Sequence, residues 1–75
     1  MINYKNYFNL NGKNAYVIGG AGLVGQEIVI GLSSFGAITH ILDIDSEKGK
    51  NLEKKLRNQK LNVNYIYFDC TKINL

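Results

Sequence analysis

Along this 75-residue chain the spacing of apolar positions changes repeatedly, and each change marks an element. "NAYVIG", Asn14 to Gly19, is a short run of strand-favouring residues that ends in glycine, which predicts a first strand buried on both faces. From Leu23 to Phe35 the spacing becomes helical: Val24, Ile28, Gly31, Leu32 and Phe35 recur at three and four, and Gly36 is a natural stop. Leu23 and Ile30 form a second line and Val29 stands apart, so this helix carries more apolar surface than one sheet face requires, and a partner is expected to cover the excess. "AITHILD", Ala37 to Asp43, predicts a second strand that emerges from the sheet on an acid. Asp45 and Ser46 are both suited to cap a second helix reaching about Gln59, with Leu52 and Leu56 inward and Glu53 placed to pair with Arg57 at i,i+4. "VNYIYF", Val63 to Phe68, predicts a third strand, after which Thr71 is suited to cap a further helix.

Strand, helix, strand, helix, strand with short connections is the βαβαβ pattern of the α/β class. Right-handed crossovers then predict a parallel three-stranded sheet in the order 3-2-1, half of a doubly wound fold. Residues 1–12 form a polar, aromatic-sprinkled lead, and the "NGK" turn signal starts the domain near Lys13, so that 13–75 is expected to be a truncated domain that stops inside its motif.

Composition narrows the function classes. A chain of this size buries only about 60% of the surface exposed when unfolded, so thin stability is expected. No apolar run approaches the ~20 residues needed to cross a bilayer, and the N-terminus has no secretory pattern, so a cytoplasmic protein without a membrane partner is expected. Cys70 is the only cysteine and His40 the only histidine, which excludes an internal disulfide and argues against a metal site. The net charge of +3 comes largely from Lys48, Lys50, Lys54, Lys55, Arg57 and Lys60, interleaved with Glu47 and Glu53 on one helix and without aromatic residues among them. That is a solvated helix face rather than a nucleic-acid surface. His40 inside the second strand reads as a hydrogen-bonded strand residue, and Cys70 as a small neighbour of a ligand rather than a reactive thiol.

The candidate chemistry lies in "VIGGAGLVG", Val17 to Gly25. Directly after a strand and at the opening of a helix, a glycine-rich turn allows a tight reversal and bares N–H groups to a diphosphate, which the helix N-terminus also favours. In a Rossmann-type dinucleotide fold the first glycine turns the chain, the second admits the pyrophosphate and the third allows close helix packing, while an acid about 20 residues on takes the ribose hydroxyls. Gly19, Gly22, Gly25 and Asp43 stand at those stations. A P-loop would need Lys and Ser or Thr after its last glycine, where Gln26 and Glu27 stand. A carboxylate at Asp43 predicts NAD in preference to NADP, whose 2′-phosphate it would repel.

With these motifs the chain resembles the short-chain dehydrogenase/reductase family from about Phe8 onward: "NLNGKNAYVIGGAGLVG" is similar to its first strand and turn, "ILDID" to its second strand, and "FDCT" to its third. The resemblance implies that Gly19, Gly22, Leu23 and Val24 line the diphosphate, that Asp43 and Ile44 hold the adenosine ribose, and that Asp69 and Cys70 meet the adenine. Ile18 stands where the family commonly has Thr, and the GxxGxxG spacing resembles the sugar-nucleotide-modifying branch, whereas "DIDSEKGKNLEKKL" resembles the simpler oxidoreductases. The family's catalytic Tyr with a Lys four residues on is absent. Tyr4, Tyr7, Tyr16, Tyr65 and Tyr67 are followed at that distance by Phe8, Asn11, Gly20, Asp69 and Thr71.

The reading is therefore an N-terminal fragment of an NAD-dependent oxidoreductase, inactive by itself and with weak or no dinucleotide affinity alone. Its open first strand would pair with the remainder of the domain or with a second copy. The alternatives are a fragment of an extended-type epimerase or dehydratase, and a non-catalytic dinucleotide-binding module.

Overall fold

The computed structural model describes residues 9–72; Tyr4, Tyr7, Phe8 and the rest of 1–8, like 73–75, lie outside them. Strands β1 (Asn14–Ile18), β2 (Ile38–Asp43) and β3 (Val63–Tyr67) alternate with helices α1 (Leu23–Ser34) and α2 (Ser46–Asn58), and a short 3-10 turn, Cys70–Lys72, follows. The sheet is parallel throughout, with β2 in the middle. Each strand starts and ends within a residue of its predicted bounds.

Local chemistry accounts for the boundaries. Asp45 caps α2, its side chain accepting from the Lys48 N–H at 3.1 Å. Gly36, at φ +99°, ends α1 in a conformation that side chains resist. The described end of the lead is bound into this corner, with Leu10 N–H donating to the Phe35 carbonyl at 2.9 Å.

Both crossovers step the same way across the sheet, so both helices cover the same face. Val17, Ile41 and Val63 from the strands meet Val29, Leu52 and Leu56 from the helices in one core, closed at the glycine turn by Ala21. Leu56 is fully buried at its centre. Leu56→Ala should cost about 2–5 kcal/mol, measured as a lower denaturation midpoint; a loss under about 1 kcal/mol would show that α2 is not docked as described.

Two expectations are corrected. β1 is not buried on both faces, because Tyr16 and Ile18 point away from the helices and are each 64% exposed. The inward line of α1 is also not the predicted one. Val29 and Ser33 are buried, while Leu23, Val24 and Ile28 are 86%, 75% and 47% exposed. The rotation of α1 is set by Gly25, the residue one turn before Val29, which lies against the backbone of Gly19 and Gly20.

The edge of β3 is guarded. The Tyr65 N–H donates to Glu53 Oε2 at 2.6 Å and Arg57 Nε donates to the Val63 carbonyl at 2.8 Å, so two α2 side chains satisfy backbone groups on the strand's outer side. The predicted Glu53–Arg57 pair is present at 3.7 Å.

Candidate functional site

The carboxyl ends of all three strands open into a cleft of about 240 Å³. Gly19 and Ile18 form one wall at the end of β1, Asp43 and Ile44 follow β2, and Phe68, Asp69 and Cys70 follow β3. In an open parallel sheet this is where ligands bind.

The glycine turn builds the first wall. Gly19 has φ +74°, in the region that L side chains avoid, and its N–H stays in the sheet by donating to the Leu42 carbonyl at 2.7 Å. Gly22 is the N-cap of α1, and no side chain caps that helix. Its first turn holds no acid either, so no carboxylate on the helix offsets the positive end of its dipole there. Gln26 steadies the turn, its amide donating to the Ala21 carbonyl at 3.0 Å.

Asp43 closes the mouth of this turn. One carboxylate oxygen accepts from the Ala21 N–H at 3.1 Å and the other from the Asp45 N–H at 2.9 Å. Each oxygen keeps a further lone pair, enough to accept a hydroxyl. Beside it, the Tyr65 hydroxyl donates to the Asp43 carbonyl at 2.8 Å. Partial burial first, then the Asp43 carboxylate, Tyr67 and Asp45, raise the Tyr65 phenol above its ordinary value of 10.0, so it remains a donor at neutral pH.

Opposite, the Asp69 carboxylate accepts from both the N–H and the hydroxyl of Thr71 at 2.9 and 2.6 Å and so braces the 3-10 turn; the further helix that Thr71 is suited to cap would lie outside the described residues. Cys70 is exposed.

A second cavity of about 380 Å³ adjoins the turn on the helix side, between Gly22, Leu23 and Gln26 of the α1 start and Lys48, Asn51 and Lys55 of α2. It contributes cations to a region otherwise governed by Asp43.

No protein-family model and no curated protein matches the sequence. Solved structures do. A structure of RhlG with NADP from Pseudomonas aeruginosa superposes with TM-score 0.81 at 32% identity, over 88% of this chain and 26% of that one. Gluconate 5-dehydrogenase from Burkholderia cenocepacia, in complex with NADP and tartrate, gives 0.83 at 26% identity over 93% and 28%. A 7α-hydroxysteroid dehydrogenase complexed with NADH and 7-oxo glycochenodeoxycholic acid gives 0.84 at 25% identity over 96% and 28%. The chain has the fold of the N-terminal portion of short-chain dehydrogenase/reductase enzymes and is similar to them in sequence. It spans about a quarter of the length of these solved structures.

Within this chain, Gly19, Asp43, Ile44, Asp69 and Cys70 line the same cleft, and Gly22 and Leu23 line the adjoining cavity. Val24 is exposed on the first turn of α1, and Gly25 faces the turn's backbone rather than either cavity. Sequence reasoning missed Ala21, whose N–H anchors Asp43, and Tyr65, which holds the Asp43 carbonyl. Both partners are 22 residues from Asp43, beyond the reach of any local pattern. His40 is half satisfied: Nε2 lies 3.0 Å from Asn14 Oδ1 and the ring stacks on Tyr16, while buried Nδ1 has no partner. It sits on the sheet face opposite the helices, away from the cleft. Among the described residues no cluster of His, Cys, Asp and Glu could hold a metal, and no helix is long and apolar enough to cross a membrane.

Proposed function

We propose that this chain binds the adenosine diphosphate half of NAD as the N-terminal portion of an NAD-dependent oxidoreductase. The observation that carries this reading is Asp43, held at the mouth of an uncapped glycine turn by the Ala21 N–H and bordering the cleft that runs to Asp69. The unshielded N–H groups at the start of α1 suit a diphosphate, and their dipole adds the equivalent of about half a positive charge. Asp43 accepts the two ribose hydroxyls with lone pairs left free by Ala21 and Asp45, while Ile18, Ile44 and Phe68 offer apolar contact to a purine ring.

NAD supplies hydride transfer when bound. This chain's residues bind and orient, and none of them moves a proton in the reaction. The family's catalytic Tyr-Lys pair has no counterpart here, so the reaction centre belongs to other parts of the enzyme. With half of the cofactor site present, affinity is expected to be weak, around the millimolar range, or ~4 kcal/mol of binding free energy.

A second reading, NADP, is favoured by one observation: Lys48 and Lys55 line the cavity beside the turn. Calorimetric titration with NAD, NADP, ADP-ribose and nicotinamide mononucleotide separates the two. NAD and ADP-ribose should bind within about threefold of each other, NADP at least about tenfold more weakly, and the mononucleotide not measurably. Stronger binding of NADP than NAD would reverse the preference, and failure of every adenosine ligand would remove the proposal.

A further inference from the structure

We propose that Tyr65 is a positioning residue of the adenosine site, holding the Asp43 peptide so that its carboxylate stays aimed at the glycine turn. This rests on the cofactor reading above.

The Asp43 carbonyl already has a partner. At the end of β2 it accepts the Phe68 N–H at 3.1 Å, which satisfies the strand ladder. The Tyr65 hydroxyl takes the second lone pair of the same oxygen at 2.8 Å. A phenylalanine would fill the same space and leave no ladder bond unmade, so packing does not account for the hydroxyl. Its effect is to hold the carbonyl of the one residue whose carboxylate closes the turn. With Ala21, Asp45, Phe68 and Tyr65 together, Asp43 is held at both ends, side chain and carbonyl, before any ligand arrives. Preorganisation of this kind lowers the ordering cost of binding.

The fold makes room for this contact. Tyr65 lies flat against α2 at Gly49, where an added methyl carbon would overlap ring atoms Cδ1 and Cε1 and stand 3.0 Å from Cγ. A glycine inside a helix weakens it. At this position the missing side chain is what lets the ring run along the helix and the hydroxyl reach the tip of β2. At the other end, Glu53 holds the Tyr65 N–H at 2.6 Å, so the residue is fixed from both sides.

The test is a double-mutant cycle on ADP-ribose affinity, followed by amide shifts, with Tyr65→Phe, Asp43→Asn and both together. Tyr65→Phe should keep a dispersed wild-type-like spectrum and weaken binding about threefold to tenfold. In the Asp43→Asn background the same change should weaken binding less than about twofold, because the group through which it acts has gone. Gly49→Ala, which displaces the ring but keeps the hydroxyl, should reproduce the Tyr65→Phe loss and serves if that variant fails to fold. Equal affinity of wild type and Tyr65→Phe, or an equal loss in both backgrounds, would overturn the positioning role while leaving the cofactor reading in place. No binding of ADP-ribose by the wild type would overturn the cofactor reading and the positioning role with it.

Discussion

Gly25→Ala should unfold most of what this chain stabilises. The added methyl carbon would overlap the Gly19 carbonyl oxygen, lie 2.7 Å from Gly20 Cα and 2.9 Å from the Gly19 carbonyl carbon. All three are backbone atoms of the turn, so relief requires α1 to move away from β1 as a body, because no side chain there can rotate aside. Overpacking of ordinary cores costs about 1–3 kcal/mol, and a backbone obstacle puts this variant at or above the upper end. Stabilities of roughly 0.05–0.15 kcal/mol per residue leave a chain of this length little to lose. At ~4–8 °C per kcal/mol, the thermal midpoint should fall by more than about 12 °C. Gly31→Ala is the control: the same residue change within the same helix, with nothing within 4 Å of the new atom. It should stabilise by about 0.5–1 kcal/mol through helix propensity. If both variants melted alike, the close approach of α1 to the turn would be wrong.

Asp43→Asn should cost both binding and stability. The carboxylate now accepts from the Ala21 and Asp45 N–H groups, one on each oxygen. An amide keeps one acceptor and turns an NH₂ group toward the other donor, so one of these bonds is lost whichever way it flips. Loss of a charge-assisted bond to a partly buried donor is worth about 1.5–3 kcal/mol. The ribose hydroxyls lose a charged acceptor as well, and NAD affinity should fall by about one to two orders of magnitude. Unchanged affinity by calorimetry would mean that Asp43 serves the turn alone.

Much of the fold was legible because it follows from local spacing. β1, β2 and β3, the Asp45 cap and the stop at Gly36 all rest on residues within a few positions of one another. Gly19 and Asp43 were legible for a different reason: a glycine turn between strand and helix, with an acid at the next strand tip, places both at the carboxyl edge of one sheet. The face of α1 was misread because counting apolar residues favoured Val24 and Ile28, whereas the contact of Gly25 with the turn decides which way the helix rolls. The same contact turns Leu23, Val24 and Ile28 outward. β1 was misread because an apolar strand implies cover on both faces, while two helices carried by same-handed crossovers cover only one. Tyr65 gave no signal at all. Its role depends on a bond to a residue 22 positions away and on space at Gly49, and neither leaves a trace in periodicity.

The central claim is that a bare turn receives a diphosphate while Asp43 takes the neighbouring ribose. Mapping amide chemical shifts during addition of NAD tests it most directly. The largest changes should fall on the backbone of residues 19–24, on Asp43 and Ile44, and on Asp69 and Cys70, with the Lys-rich outer face of α2 and the Tyr16–His40 face of the sheet unmoved. Shifts confined to those two faces, or none at saturating NAD, would contradict it.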